Sequence, residues 1–318
     1  MNIFILAAGL GARLRPVTYK YPKPSVPFLN VPLGLYQFRF LEQLQISTCV
    51  ANSFHLPEKI ESLYGSQPYF KNKILISKET GMVLGSAGGL KKASDLFEPD
   101  ETILMMNADE VFFTPDNLFL SKAYEQHQLS NNLATLIVMK HPEAGNKFGA
   151  IWCDQNNRVK NIMVANSKPS QDLTPCHYIG VILLNKKILD LIPDNIETNI
   201  FYDVLIKELS NNSVGVYNLD CQWYETGNPA DYLAATQNVL NKLDKSTLDF
   251  INRYDPSSVV RNEGGLSLVS NSILINEDKL RGYNVISKST NPNNINSTLK
   301  IENSVLFENE ILNLSYFS

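Results

Sequence analysis

Short, unbroken apolar runs recur along the chain. The first is Ile3-Phe4-Ile5-Leu6, and comparable stretches return near residues 48–52, 102–106, 134–140, 178–185 and 213–218. Runs of this length, without the alternation of a half-exposed sheet, predict strands covered on both faces. Leu35, Phe38, Leu41 and Leu44 recur at roughly helical spacing and predict a helix over residues 33–45. Pro57 suits the first turn of another helix. The small-residue segment 84–90 leads into Lys91, Lys92 and a further helix, and residues 199–209 read as an amphipathic one. Strand, loop and helix thus alternate, which predicts an α/β domain over residues 1–245 on a doubly wound, mixed but mostly parallel sheet.

The texture changes from about residue 257. Short aliphatic segments follow one another at hexapeptide-like intervals, Ser272-Ile273-Leu274-Ile275, Tyr283-Asn284-Val285-Ile286 and Ile301-Glu302-Asn303-Ser304-Val305-Leu306-Phe307. They resemble turns of a short left-handed parallel β-helix over residues 257–318, in which small aliphatics are buried by stacking. An Asn-rich stretch at 291–297 interrupts the pattern and limits it to a few irregular coils. An ordinary small β-appendage is the alternative. Self-association is the expected role of this tail, giving a homo-oligomer. Every site motif named below lies before Asp231, so the tail is expected to be separable from ligand binding.

Composition narrows the class. The 318 residues are 44% hydrophobic and 19% charged, as in a globular domain, and no apolar run is long enough to cross a bilayer. No membrane association is expected. The net charge of -4, without a basic tail, gives no reason to expect nucleic acid as a partner. Cys49, Cys153, Cys176 and Cys221 are scattered without a CxxC, and His55, His127, His141 and His177 show no metal-ligand spacing. Reduced thiols and a cytoplasmic protein are expected.

Candidate chemistry gathers at the start of the chain, MNIFILAAGLGARLRPVTYKYPKPSVPF. The bulk-free segment after the first strand, with Gly9 and Gly11, lets backbone N–H groups approach a ligand closely, which is how loops cradle phosphate, and Leu6, Ala8, Gly9 and Gly11 are the candidate nucleotide-binding residues there. Arg13 and Arg15 follow at once, and Lys23 stands between Pro22 and Pro24, which stiffen its backbone. Such a cluster suits several phosphates. A secretory leader would carry its cations before the apolar run. A dinucleotide fingerprint would need glycine where Leu14 stands and an acid near Leu29, and a Walker loop would need Gly-Lys-Ser/Thr. A core strand followed by a surface turn is the remaining alternative.

The string GLGARLRPVTYKYPKPSVPF resembles the signature GxGxRLxPxTxxxPKPxxPV of the sugar-1-phosphate nucleotidyltransferases, or NDP-sugar pyrophosphorylases. The implied fold is a Rossmann-like nucleotidyltransferase domain. The implied roles are a glycine loop around the triphosphate, with Arg13 and Lys23 neutralising the reacting phosphates. Ala12 stands where the family often has Ser or Thr. LGSAGGL at 84–90 resembles the family's LGTAGAL, which implies nucleotide contacts at Ala87 and Gly88 and leans towards GTP with a mannose- or heptose-type sugar. Asn107-Ala108-Asp109 resembles NGD or NAD, whose Asp binds Mg²⁺. Phe148-Gly149, Lys168 and Gly180 fall where the family meets the sugar phosphate, although Ser167 replaces the glutamate of EKP. Trp223-Tyr224-Glu225-Thr226-Gly227 resembles WxDIG, which puts Glu225 at the second metal position.

The activity implied is conversion of a nucleoside triphosphate and a sugar 1-phosphate into an NDP-sugar and pyrophosphate. Asp109 and Glu225 would hold Mg²⁺, which typically takes one or two carboxylates plus substrate phosphates. Two rivals are a catalytically weak or regulatory nucleotide-sugar binding subunit, suggested by Glu225 and Ser167, and an NDP-sugar-dependent glycosyltransferase.

Overall fold

The structure, a computed structural model, describes residues 1–65, 70–99, 101–169, 172–288, 290, 301–308 and 310–312. Two compact units emerge. One comprises Met1–Leu10 and Gln37–Trp223, the other Gly11–Tyr36 and Tyr224–Ser318. This division does not follow the linear split at residues 245–257, because the segment 11–36 groups with the C-terminal part of the chain.

In the first unit the opening strand, Asn2–Leu6, lies centrally between Thr48–Ser53 and Ile103–Asn107, parallel to both. Ile74–Lys78 continues the parallel set beyond Thr48–Ser53. On the other side the long strand Thr174–Leu184 runs antiparallel to Ile103–Asn107 and to Ala134–Met139, and Val214–Asn218 pairs parallel with Ala134–Met139. The result is a mixed α/β sheet with a parallel heart. Phe4, Val50, Met105, Leu136 and Ile182 from these strands share one core with Ala87 and Leu90 from the helix Gly85–Ala93. Two-sided burial explains why the strands read as continuous apolar runs.

Some helical predictions are corrected. Residues 33–45 form not an α-helix but a 3₁₀ helix over Leu33–Phe40. Leu35, Phe38, Leu41 and Leu44 in fact recur every three residues, which is the 3₁₀ repeat and not the 3.6 of an α-helix. Residues 199–209 begin as a wide π-helical turn, Ile200–Leu205, before a short α segment, Ile206–Glu208. The Asn199 side chain accepts hydrogen bonds from the amides of Phe201 and Tyr202, and the amide of Ile200 donates to Ser86 Oγ at 2.8 Å. Outside partners thus take the first-turn donors of that helix.

The second unit carries two helices, Pro229–Asn241 and Lys245–Tyr254, and a five-stranded sheet. Ser257–Asn262 and Gly265–Ser270 form a hairpin, and Gly265–Ser270, Asn284–Ile286 and Val305–Phe307 then stack in parallel. A second short parallel pair joins Leu280–Arg281 to Ile301–Glu302. Val269, Leu280, Ile286, Ile301 and Leu306 share one small hydrophobic core. Ile273-Leu274-Ile275, by contrast, forms no strand, and Leu274 is exposed. The Asn-rich stretch 291–297 lies outside the described residues.

Candidate active site

The loop that follows the central strand is held from beneath. Asn52, at the end of the neighbouring strand, accepts hydrogen bonds from the amides of Ala7 at 2.6 Å and Ala8 at 3.1 Å. Its Nδ2 donates to Glu79 Oε1 at 2.7 Å, and Glu79 Oε2 accepts from the amide of Leu84 at 2.8 Å. One buried side-chain pair therefore fixes both the first glycine loop and the entry to LGSAGGL. Burial pushes the Glu79 carboxyl up from its ordinary range, and the bonds from Leu84 and Asn52 and the charge of Lys92 pull it only part of the way back. Sequence reasoning missed this pair. Its signal was a polar residue closing an otherwise buried strand, followed by a carboxylate at the end of the next.

The small residues of 84–90 have a local purpose. The amides of Ala87 and Gly88 donate to the Thr198 carbonyl at 2.9 and 3.3 Å, and the amide of Thr198 returns a bond to Leu84. A Cβ on Gly88 would lie 2.5 Å from the Ile196 carbonyl oxygen. The absence of bulk thus admits the backbone of residues 196–198, and both predicted nucleotide-binding amides are engaged there. Gly9 is exposed, with nothing within 4 Å of where a Cβ would stand, whereas the Ala8 amide is taken by Asn52; Leu6 closes the strand just before that anchor.

Asp109 follows the strand Ile103–Asn107 and is half-buried. Its neighbour Glu110 accepts from Trp223 Nε1 at 2.7 Å. Gly180, in the left-handed region at φ +82, leaves space over its α-carbon that the Glu110 side chain fills. The room that the sequence suggested for a sugar at Gly180 is therefore taken by this carboxylate. Gly149 is exposed and lies against the Met163 carbonyl, 2.9 Å from where a Cβ would stand. Lys168 is exposed on the loop after Val159–Met163. Around the Phe148-Gly149 turn, His177, His141, Phe148 and Trp223 form an aromatic cluster, with His177 and Trp223 centroids 4.3 Å apart.

Within the second unit, Gly11 adopts φ +60 and its carbonyl accepts from Thr18 Oγ1 at 2.8 Å. A Cβ on Gly11 would meet Thr18 and Lys23, so only glycine closes this turn. Lys23 is buried and opens a short 3₁₀ turn set by Pro22 and Pro24. Arg13 is exposed, and its guanidinium shares the space over Gly227 with the Glu225 carboxylate. The Arg13 Cζ lies 2.9 Å from where a Gly227 Cβ would be, and Glu225 Oε1 accepts from the Gly227 amide at 2.5 Å. Arg13 and Glu225, predicted from motifs far apart in sequence, are thereby brought together. Arg15 instead stacks over the exposed Tyr19 ring at 4.8 Å.

The same segment is bound to the tail. Lys20 pairs with the buried Glu310 at 2.6 Å, Tyr21 donates to Glu308 at 2.5 Å and its ring meets Phe307 at 5.4 Å. Asn30 Nδ2 donates to Ser257 Oγ and to the Ile286 carbonyl. Tyr232 donates to the Pro27 carbonyl, and Phe28 packs edge-on against its ring. Residues 11–36 and the chain after residue 224 therefore form one compact unit, joined by these bonds.

Among the described residues no group of three or more His, Cys, Asp or Glu is arranged as a metal cage. Also among them, no helix is long and apolar enough to cross a membrane.

A glycine loop after the central strand of a mixed α/β sheet, at its carboxyl edge, defines the Rossmann-like class of domain, which takes ligands at that edge. Comparison with known proteins narrows the class. The chain belongs to the nucleotidyl transferase family, whose model matches residues 3–242. A UTP–glucose-1-phosphate uridylyltransferase of Synechocystis sp. is 31% identical over 257 residues, covering 76% of this chain and 64% of that protein. A mannose-1-phosphate guanyltransferase of Saccharomyces cerevisiae is 30% identical over 252 residues, covering 77% and 66%. The chain thus spans about two thirds of the length of these relatives. UDP-glucose pyrophosphorylase from Acinetobacter baumanii shares the fold with a TM-score of 0.65 at 16% identity, over 78% of this chain and 96% of that one. HddC from Yersinia pseudotuberculosis does so with a TM-score of 0.59 at 21% identity, over 74% and 97%.

Proposed function

We propose that this protein is an enzyme that converts a nucleoside triphosphate and a sugar 1-phosphate into an NDP-sugar and pyrophosphate. GTP with a mannose- or heptose-type sugar phosphate is the pair to try first. The observation that carries the reading is the match of GLGARLRPVTYKYPKPSVPF to the family signature at every fixed position but the last, where Phe28 stands for Val, in a chain whose family match runs over residues 3–242.

In this reaction a phosphate oxygen of the sugar phosphate attacks the α-phosphorus in line, and the bond to the β-phosphate oxygen breaks on the opposite side. No covalent protein nucleophile is required. Two polyanions must be brought together, so the work is positioning and neutralisation. Arg13 and Lys23 would counter the charge of the triphosphate, with backbone amides of the Gly9–Gly11 turn as further donors. Lys168 and the Gly149 turn would meet the sugar phosphate. Asp109 and Glu225 are hard oxygen donors, and two carboxylates are the set that Mg²⁺ usually takes from a protein. The ion, when bound, would add positive charge at the phosphates.

The stacked strands after residue 257 are read as a short left-handed β-helix attached to a catalytic domain of residues 1–245, with self-association through its coils. A cytoplasmic location fits the reduced thiols. A second reading, a weakly active regulatory subunit, is favoured by glutamate at 225 in place of aspartate and serine at 167 in place of glutamate.

Pyrophosphate release from each common NTP against a panel of sugar 1-phosphates tests the assignment. Metal-dependent turnover with one preferred pair is expected. Tight nucleotide-sugar binding without turnover would favour the regulatory reading, and neither binding nor turnover would overturn both.

A further inference from the structure

Asp109, the carboxylate read as a metal ligand, lies in a turn after the strand Ile103–Asn107, and the residues beside it are tied down one by one. The carbonyl of Asn107 accepts from Gln37 Nε2 at 2.7 Å, and the amide of Ala108 donates to the Leu6 carbonyl at 3.1 Å. On the other side stands Glu110. Its Oε2 accepts from Trp223 Nε1 at 2.7 Å, and its Oε1 accepts from Asn107 Nδ2 at 3.3 Å, which closes the turn from Asn107 across to Glu110. Trp223 is itself a fixed post, because its ring packs against His177 and Phe148 with centroids at 4.3 and 5.3 Å. A third contact comes from Gly180. A Cβ there would run into Glu110 Cγ, and φ +82 is a conformation that other residues rarely adopt, so Gly180 reserves the place of the Glu110 side chain.

A half-buried carboxylate is costly to hold in one place, since it gives up water and the freedom of a long side chain. An apolar residue would fill the same volume at lower cost. What the carboxylate adds is two hydrogen bonds to a charged acceptor, roughly twice as strong as neutral ones, one residue away from Asp109. We propose that Glu110 is a positioning residue, whose clamp on Asn107 and Trp223 fixes the turn that presents the Asp109 carboxylate to the divalent cation. The inference rests on the nucleotidyltransferase reading, which makes Asp109 a ligand of that cation. It gives Gly180 a part as well, that of making room for the clamp. Such positioning matters most for Mg²⁺, whose ligand distances of about 2.0–2.1 Å leave little tolerance. Hydrogen-bonded partners behind a ligating carboxylate typically carry roughly 10–100-fold of the metal affinity.

The test is Mn²⁺ binding to the full chain, read from the electron paramagnetic resonance of the free ion, together with the Mg²⁺ concentration that half-saturates pyrophosphate release. Glu110→Ala should weaken Mn²⁺ binding about tenfold or more and raise the half-saturating Mg²⁺ to match, with kcat at saturating Mg²⁺ much less affected. Glu110→Gln separates positioning from ligation. Its amide keeps an acceptor for Trp223, and Asn107 can turn its own oxygen to the new NH₂, so most of the affinity should remain. Gly180→Ala should weaken Mn²⁺ binding in the wild-type chain and weaken it no further in a Glu110→Ala chain, where the clamp it displaces is already gone. Trp223→Phe, which keeps an aromatic ring and removes the donor, should show a smaller loss and reads the bond even where Glu110→Ala folds poorly. Wild-type Mn²⁺ affinity in both Glu110→Ala and Trp223→Phe would overturn the inference. So would a loss in Glu110→Gln as large as in Glu110→Ala, which would make Glu110 itself a ligand; either result leaves the function standing. No turnover by the wild type with any substrate pair would overturn the function, and the inference with it.

Discussion

The glycine-rich signature is continuous in sequence, yet its two halves are supported by different means. Residues 6–9 rest on a local, polar brace in the first unit, where Asn52 holds two amides and is itself held by Glu79. Residues 11–28 rest on distant chain, more than 200 residues on, through Lys20 with Glu310, Tyr21 with Phe307 and Glu308, and Pro27 with Tyr232. The first half is part of the parallel sheet and needs only its neighbours. The second, full of proline and short turns, has no regular structure long enough to hold itself. A motif read as one object is therefore sensitive to mutation in two separate places.

The largest expected effect comes from the cations on the second half. Arg13→Ala and Lys23→Ala should each lower kcat by about 10² or more, the cost of removing a preorganised charge donor, with little change in stability for the exposed Arg13. Near-normal turnover in either variant would break the assignment of these residues to the reacting phosphates. Next comes the brace of the first half. Asn52→Ala leaves the amides of Ala7 and Ala8 and the carboxylate of Glu79 short of a partner, which should cost about 1–3 kcal/mol in chemical denaturation and raise KM for NTP. A neutral result would mean that the loop holds its shape without Asn52.

The smallest effect is on pH dependence. The folded Glu79 carboxyl is raised above its ordinary value of 4.5, so between that value and its folded one the native state binds the proton more than the unfolded state does. Its stabilising contribution is fully present below 4.5 and is lost as pH rises through the folded value. Melting temperature followed upward from that point should fall less steeply in Glu79→Gln than in wild type. Equal slopes would show that the carboxyl is ionised in both states across the range.

Much of this was legible in sequence where the signal is local. Apolar runs such as Ile3–Leu6 announce buried strands because two-sided burial leaves no alternation to confuse them. Arg13 and Lys23 stand out as cations beside a glycine loop, and Glu225 through the resemblance of its motif to the family's WxDIG. What could not be read was what fills the space beside a glycine. Gly88 makes way for the Ile196 carbonyl and Gly180 for Glu110, and each pairing joins segments tens of residues apart. The role of the tail is hidden for the same reason. Nothing in Tyr21 or Asn30 signals that their partners are Glu308 and Ser257, because those bonds exist only once the coils are stacked. The helix over 33–45 differs for another cause: over so few turns a strict repeat of three lies too close to 3.6 for the period alone to separate them.

The tail, and not the sheet, holds the second half of the signature. Hydrogen exchange on the full chain carrying Phe307→Leu, a change confined to the tail's side of the Tyr21 contact, tests it most directly. The amides of Tyr21 and Val26, bonded to Val17 and Lys23, should exchange about tenfold faster than in wild type, the effect of about 1.4 kcal/mol of lost local stability, while those of Ala7 and Ala8 stay unchanged. Unaltered exchange across residues 11–28 would show that the segment keeps its shape without the tail contact, and equal acceleration of Ala7 and Ala8 would show that the contact does not act on that segment alone.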